Sequence, residues 1–514
     1  MSRLKNFVHS LTSGYALLAF NTVYALVSAR LGLQYLSNRG PGLWMLVLNA
    51  AGFLQLVDLG MSGSIFRTLV DHKDQPAGGA YGSFIKTSVL VLLVQGLIIA
   101  VLGLALAAVL PSWVLAKEDY PAYHKIFTVL FGAQCLVMGV FFPARIASYI
   151  LQAHSRFDIF NYAGMGNQAA GLAALWIGFR LGWGFNSLIA GVIASNVTGY
   201  GLSLVMVARL RLWPPAGAWG RAQWKVFKEL FAFGSDLFLL GVGYQLLNAT
   251  QAAIASRTCG LVGATVWGFS TKAFLLAQQI VNQLLTFSSS ALSEMIVRGE
   301  PQRLRARFRD LLVLTVSASV FIGAGLGVCN SSFVEIWSKG KVSWNPLNNW
   351  LMALLLVVTC LTRCHTGLPG LLKRIGNLRY LYFLEGMSFL ALSLLLAPRY
   401  GLSAILVTAI AMDVLWSGIY GVWRSARYFN ETMFNVAFGW TKVSWNYLAA
   451  MAVPSVGWWW LTSLWFSGIR QFLLGGTGVA VLGLLLLWWI GLTPDLKSQL
   501  SSMLSKFKLK LGLS

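Results

Sequence analysis

Charge is what this sequence has least of. Only 11% of its 514 residues are charged, against about a quarter in an ordinary soluble domain. Acidic residues are the scarcest, 16 Asp and Glu against 39 Lys and Arg. So little charge leaves almost nothing to coat a domain in water. Ligand-type residues are also few. Cys360, Cys364 and His365 lie close together, but a metal site needs more donors in suitable geometry, and small packing residues within a helix explain them better. No G-x-x-x-x-G-K-[ST] loop occurs, which argues against nucleotide hydrolysis by this chain. Neither metal nor cofactor is expected. The first apolar run, from about Leu11, lacks a small-residue cleavage site and reads as a retained helix, not a removed signal peptide.

Apolar length is what the chain has in abundance. Hydrophobic residues make up 57% of it, gathered into stretches long enough to cross a hydrocarbon core of roughly 30 Å, which takes about 20 residues of helix. Fourteen such stretches can be read: 11–33, 41–68, 80–111, 122–150, 158–180, 183–208, 226–256, 261–295, 308–330, 347–372, 378–398, 402–426, 445–467 and 470–492. The predicted fold class is all-α, a polytopic membrane protein.

The net charge of +23 would suggest nucleic acid in a soluble protein. Here the bases sit in short loops, where they hold helices in register on anionic lipid, and no nucleic-acid partner is expected. Roughly two-thirds of them fall in the even-numbered loops and the two terminal segments, which predicts cytoplasmic termini. The opposite side carries fewer, among them Arg30, Arg39, Lys117 and Arg257.

The segment Trp213–Lys225 (WPPAGAWGRAQWK) is the strongest punctuation in the chain, because Pro-Pro and Gly stop a helix. It divides the sequence into a predicted lobe over 1–212, with helices one to six, and a second over 226–428, with helices seven to twelve. Two further helices occupy 445–492. The tail 493–514 reads as a basic amphipathic segment on the inner leaflet. Two sixes of similar length and loop sign suggest paired lobes, as in transporters built from repeats.

Polar residues inside spans are expensive and mark partners or wet cavities. In the eighth stretch Lys272, Gln279, Gln283, Thr286, Ser290 and Glu294 fall within an arc of roughly 80°. Interhelical hydrogen bonding would use such residues too, but a stripe running nearly the full span favours a water-filled cavity. The seventh stretch groups Asp236, Tyr244, Asn248 and Gln251; the second, Gln55, Asp58 and Ser62; the first, Asn21 and Ser28. These are equivalent helices of the two predicted lobes, so a cavity between the lobes is expected. Lys86, Lys272 and Arg363 are bases with no loop to occupy, and Arg145 can reach the same region. A basic cavity attracts phosphate, which Arg binds with two parallel hydrogen bonds. For any one of them, reaching out to the interface is the simpler reading. Asp58, Asp236, Glu294, Glu385 and Asp413 are candidates to carry protons or pair with these bases.

Residues 28–44 read SARLGLQYLSNRGPGLW and 56–69 read LVDLGMSGSIFRTL. The pair resembles the opening of the polysaccharide-exporter branch of the multidrug/oligosaccharidyl-lipid/polysaccharide superfamily. There an R-x-[LF]-G turn precedes a Gly-aromatic start and a D-L-G-[LMI] segment with a downstream Arg. The matching positions are Arg30, Gly32, Gly42, Trp44, Asp58, Leu59, Gly60 and Arg67. Residues 260–299 are similar to the family's second-lobe pattern, with Trp267 where Tyr is usual and Ser290 or Ala291 where Pro is frequent. The resemblance implies a Wzx-type flippase in the bacterial inner membrane. Such a protein moves undecaprenyl-pyrophosphate-linked oligosaccharide to the outer leaflet by alternating access, with other polysaccharide-assembly proteins as possible partners. Three rivals remain open. A drug or cation exporter on the same fold would favour acids and aromatic cages in its cavity. A polymerase or ligase would need a sizeable outer loop, and the longest here lies around Cys329–Leu347. A passive scaffold would not need polar stripes.

Overall fold

In lipid a backbone must satisfy its own hydrogen bonds, so each apolar stretch has to become helix. The computed structural model describes residues 3–73, 79–372, 376–498 and 501. Among the described residues there is no strand. The helices are α1 (Arg3–Tyr35), α2 (Gly40–Leu54), α3 (Met61–His72), α4 (Ala80–Val114), α5 (Tyr120–Phe141), α6 (Arg145–Ala153), α7 (Phe157–Arg180) and α8 (Asn186–Arg209). They continue with α9 (Trp224–Ser270), α10 (Lys272–Arg298), α11 (Pro301–Ser338), α12 (Pro346–Leu371) and α13 (Leu378–Tyr400). The last are α14 (Leu402–Met412), α15 (Ile419–Phe429), α16 (Lys442–Trp465) and α17 (Gly468–Leu486). Among the described residues eleven helical segments are long and apolar enough to cross a membrane, and the molecule is an all-α polytopic membrane protein. The helices Phe157–Arg180 and Lys442–Trp465, read as spans from sequence, fall outside those eleven; asparagines and glutamine dilute the apolarity of the first, tryptophans and serines that of the second.

Three stretches read as continuous are interrupted. The stretch 41–68 breaks after α2: a 3-10 turn, Gln55–Asp58, leads into left-handed Leu59 (φ 50°) and Gly60 (φ 73°). Gly adopts that conformation at no steric cost. The stretch 122–150 breaks between α5 and α6 at Pro143, which lacks an N–H to continue the ladder. The stretch 261–295 divides at Thr271, between α9 and α10. Upstream, Gly260 (φ 72°, ψ 179°) kinks α9. Periodicity survives all of these breaks, which is why the pattern alone runs through them.

The fold forms two compact units, residues 1–268 and 269–514. In the first, α7 packs along α1 and α8, and α4 along α5. A Cβ on Gly96 would strike the Gly139 carbonyl, and one on Gly139 would strike the Gly96 carbonyl. Paired small residues let two backbones approach, which drives helix association where water does not. The part of α9 up to Gly268 belongs to this unit. Gly42 N donates to Thr265 Oγ1 at 2.8 Å, Gln245 Nε2 to the Gly52 carbonyl at 2.8 Å, and Leu261 N to Asp119 Oδ2 at 2.7 Å. In the second unit α11 is central, flanked by α10, α12, α16 and α17. Ser317 Oγ donates to the Gly491 carbonyl at 2.7 Å and Tyr447 Oη to the Gly483 carbonyl at 2.9 Å. Leu93, Leu97, Val101 and Leu104 of α4 stay uncovered by protein, as a helix side facing acyl chains should.

Candidate substrate cavity

The interruptions in the first unit place polar groups around one space. The Pro143 break starts a new helix at Arg145. The break after α2 leaves Gln55 in the 3-10 turn. Together with α1, α7 and α8 they border an open cavity of about 480 Å³, lined by Asn21, Gln55, Arg145, Ser148, Tyr149, Gln152, Asn167, Gln168, Tyr200 and Ser203, with Leu17, Phe160, Ala163, Gly164 and Gly199 between them. That size is typical of a small-molecule site. Among the described residues its lining contains one charged side chain, Arg145, and no carboxylate.

The guanidinium carbon of Arg145 lies 4.1 Å from the centre of the Phe142 ring, and its Nη2 reaches Gln55 Oε1 at 3.5 Å, a long contact. No acid pairs with it among the described residues, so most of its donors remain available for an anion. On the opposite helices Gln168 Nε2 donates to Asn21 Oδ1 at 3.0 Å. Tyr200 stacks on Phe141 with centroids 6.1 Å apart.

Asp58 stands behind this wall. Its Oδ1 accepts from Ser62 Oγ at 2.6 Å and its Oδ2 from Ser62 N at 3.2 Å, so it satisfies a free N–H in the first turn of α3 from two residues before the N-cap, Gly60. Tyr149 Oη donates to the same Ser62 hydroxyl at 2.6 Å, linking the cavity to that turn. Gln95 Nε2 donates to the carbonyls of Val57 and Asp58 at 3.2 and 3.1 Å, satisfying backbone that the break exposes. The D-L-G segment is thus a helix break whose aspartate holds the first turn of the next helix.

Three of the residues singled out in the sequence, Asn21, Gln55 and Arg145, line the cavity, and Asp58 connects to it through Ser62 and Tyr149. The others do not. Lys86 donates to the Gly220 carbonyl at 3.1 Å and lies 6.0 Å from the Trp219 ring; beside it Gln223 N donates to Thr87 Oγ1 at 3.1 Å. It pins the Pro-Pro segment to α4. Asn248, exposed on α9, donates to the Tyr244 carbonyl at 2.8 Å. Lys272, Gln279, Gln283 and Arg363 belong to the second unit, where Gln279 and Arg363 are exposed and Lys272 and Gln283 half-buried. Glu294 pairs with Arg298 at 2.5 Å, both well exposed. Arg30 and Arg67 are exposed, and Gly32 sits where a Cβ would meet Pro41 at 3.6 Å. The side chains of Asp236 and Ser290 lie outside the described residues, as does most of the tail 493–514.

Asn167, Gln168, Tyr149, Gln152 and Tyr200 were not singled out by pattern. A signal existed for the first two: α7 carries three amides, counting Asn161, which donates to Ser13 Oγ at 3.0 Å. In the second unit Glu385 and Asp413 are buried, 2% and 8% exposed. Thr362 Oγ1 donates to Asp413 Oδ1 at 2.8 Å and Ser417 Oγ to Glu385. No base pairs with either among the described residues.

No family model matches the sequence and no curated protein matches it. In three dimensions the chain is similar to an inward-facing multidrug-resistance transporter of the MATE family and MOP superfamily, with TM-score 0.67 and 11% identity over 79% of this chain and 94% of that one. It is similar to the lipid II flippase MurJ in an inward closed conformation, with TM-score 0.65 and 11% identity over 93% of this chain and 98% of that one. It is also similar to the eukaryotic MATE transporter AtDTX14, with TM-score 0.56 and 15% identity over 86% and 99%. At such identities the likeness is one of fold: the chain has the architecture of MOP superfamily transporters.

Proposed function

We propose that this protein is a transporter of the flippase kind, moving a lipid-linked oligosaccharide from the cytoplasmic to the outer leaflet of a bacterial inner membrane, with both termini cytoplasmic. One observation carries the reading: a cavity of about 480 Å³ whose polar lining, among the described residues, is amide, hydroxyl and a single unpaired arginine, without a carboxylate. Amides and hydroxyls both donate and accept, as a polyhydroxylated head group requires. A free guanidinium suits a diphosphate. The polyprenyl tail would stay in lipid while the head crosses, and alternating access needs no covalent step.

A drug or cation exporter shares the fold equally well, since two of the similar structures are MATE transporters. The sign of the cavity separates the two. A cationic cargo entering beside Arg145 would meet like charge with no lining carboxylate to offset it. Coupling to an ion gradient is part of the proposal, with Asp58, Asp236 and Glu294 as candidates, joined by the buried pair Glu385 and Asp413.

The test is reconstitution in liposomes with lipid-linked oligosaccharide from the source cells, scoring head groups that become accessible on the far leaflet. Protein-dependent flipping that slows when gradients are collapsed is the expected result. Flipping at an unchanged rate removes the coupling; export of cationic dyes with no movement of the glycan lipid removes the flippase reading.

A further inference from the structure

Gln168 on α7 and Asn21 on α1 hydrogen-bond to each other across the helix seam at 3.0 Å, and both line the cavity. An amide has donor and acceptor positions at its end, and this contact uses one donor and one acceptor. Neither side chain makes another hydrogen bond among the described residues, so the locked pair still offers N–H and C=O groups side by side. Their positions are fixed by each other, so little rotamer entropy is lost when a ligand arrives. Asn167 adds a third amide from the next position of α7. A Cβ on Gly199 of α8 would lie 2.8 Å from Asn167 Nδ2 and 2.9 Å from its Cβ, so a glycine there lets α8 approach and seat Asn167 against it. The Tyr149 hydroxyl donates its proton to Ser62 and can offer the cavity only an acceptor.

Resting on the flippase reading, we propose that the Asn21–Gln168 pair with Asn167 is a sugar-hydroxyl subsite that reads the glycan itself, apart from the diphosphate and the lipid. A hydroxyl donates and accepts at once, so adjacent N–H and C=O groups hold one sugar hydroxyl, or two neighbouring ones, in a way that a carboxylate or an ammonium would not match. Discrimination comes from the unsatisfied amide left behind when a ligand lacks the hydroxyl.

The test uses the full chain in nanodiscs and the free oligosaccharide released by mild acid from the lipid-linked pool of the source cells, so that no phosphate or lipid contributes. Saturable binding is expected, weakened at least tenfold by Gln168→Met and by Gly199→Ala, with thermal unfolding midpoints near that of the unaltered protein. Should Gln168→Met fail to fold, Gly199→Ala carries the test, since it crowds Asn167 without removing an amide. Binding of the free glycan that neither variant weakens, or no binding to the unaltered protein, overturns the subsite. Flipping of the intact lipid-linked glycan, scored in parallel, fails only if the flippase reading does.

Discussion

Neutralising Arg145 is the sharpest test of the cavity. In the folded protein it makes one long contact, 3.5 Å to Gln55, and lies 4.1 Å from the Phe142 ring. An arginine–aromatic contact at a partly exposed site contributes about 0.5–1 kcal/mol, so Arg145→Gln should cost the fold little. Its cost to a diphosphate ligand is larger. A hydrogen bond to a charged group contributes about 1.5–3 kcal/mol, and tenfold in affinity corresponds to about 1.4 kcal/mol. Flipping of lipid-linked oligosaccharide at limiting substrate should therefore fall by roughly 10- to 100-fold. Arg145→Lys should recover part of the loss: it restores the charge without the planar fork that binds two oxygens at once. The assay is the liposome reconstitution above, with thermal unfolding in detergent as the control. An Arg145→Gln protein that flips at the unaltered rate refutes the assignment of the cavity as an anion path. A protein whose melting falls in step with its activity refutes the division between binding and stability.

Lys272→Glu should abolish flipping of the anionic substrate if the half-buried base at the start of α10 lies on the same path; unchanged flipping leaves it as an interfacial lysine. Asp58→Ala removes the carboxylate that accepts from Ser62 N and Oγ in the first turn of α3 and should destabilise the protein by about 1.5–3 kcal/mol in thermal unfolding; an unchanged midpoint would mean that these bonds contribute nothing. Gly139→Leu drives a side chain into the Gly96 backbone, and a loss of about 1–3 kcal/mol or more is expected, seen as reduced yield of folded protein in detergent. Yield equal to that of the unaltered protein would contradict the α4–α5 crossing.

Lys86 and Asn21 show where legibility ended. Both looked like cavity residues for the same reason, a polar side chain inside an apolar stretch. Asn21 is one; Lys86 instead holds the Pro-Pro segment through the Gly220 carbonyl. A helical wheel gives a side chain's direction from its own axis but not what lies along that direction. Arg145 does line the cavity, yet the reason it turns inward is the helix restart after Pro143, inside a stretch whose periodicity reads straight through. The stripe from Lys272 to Glu294 does share one helix, but its members differ in exposure, and Glu294 is taken up by its neighbour Arg298.

The order of residues alone determined that this is a helical membrane protein, because hydrophobic length and period are local properties that every twenty-residue window carries by itself. The tertiary structure decided which polar residues meet. Positions 21, 55, 145, 168 and 200 come together in one cavity only because a 3-10 turn, a proline and the close packing of α1, α7 and α8 set the angles between helices. Those angles follow from side-chain contacts between distant segments, and no single stretch of the chain contains them.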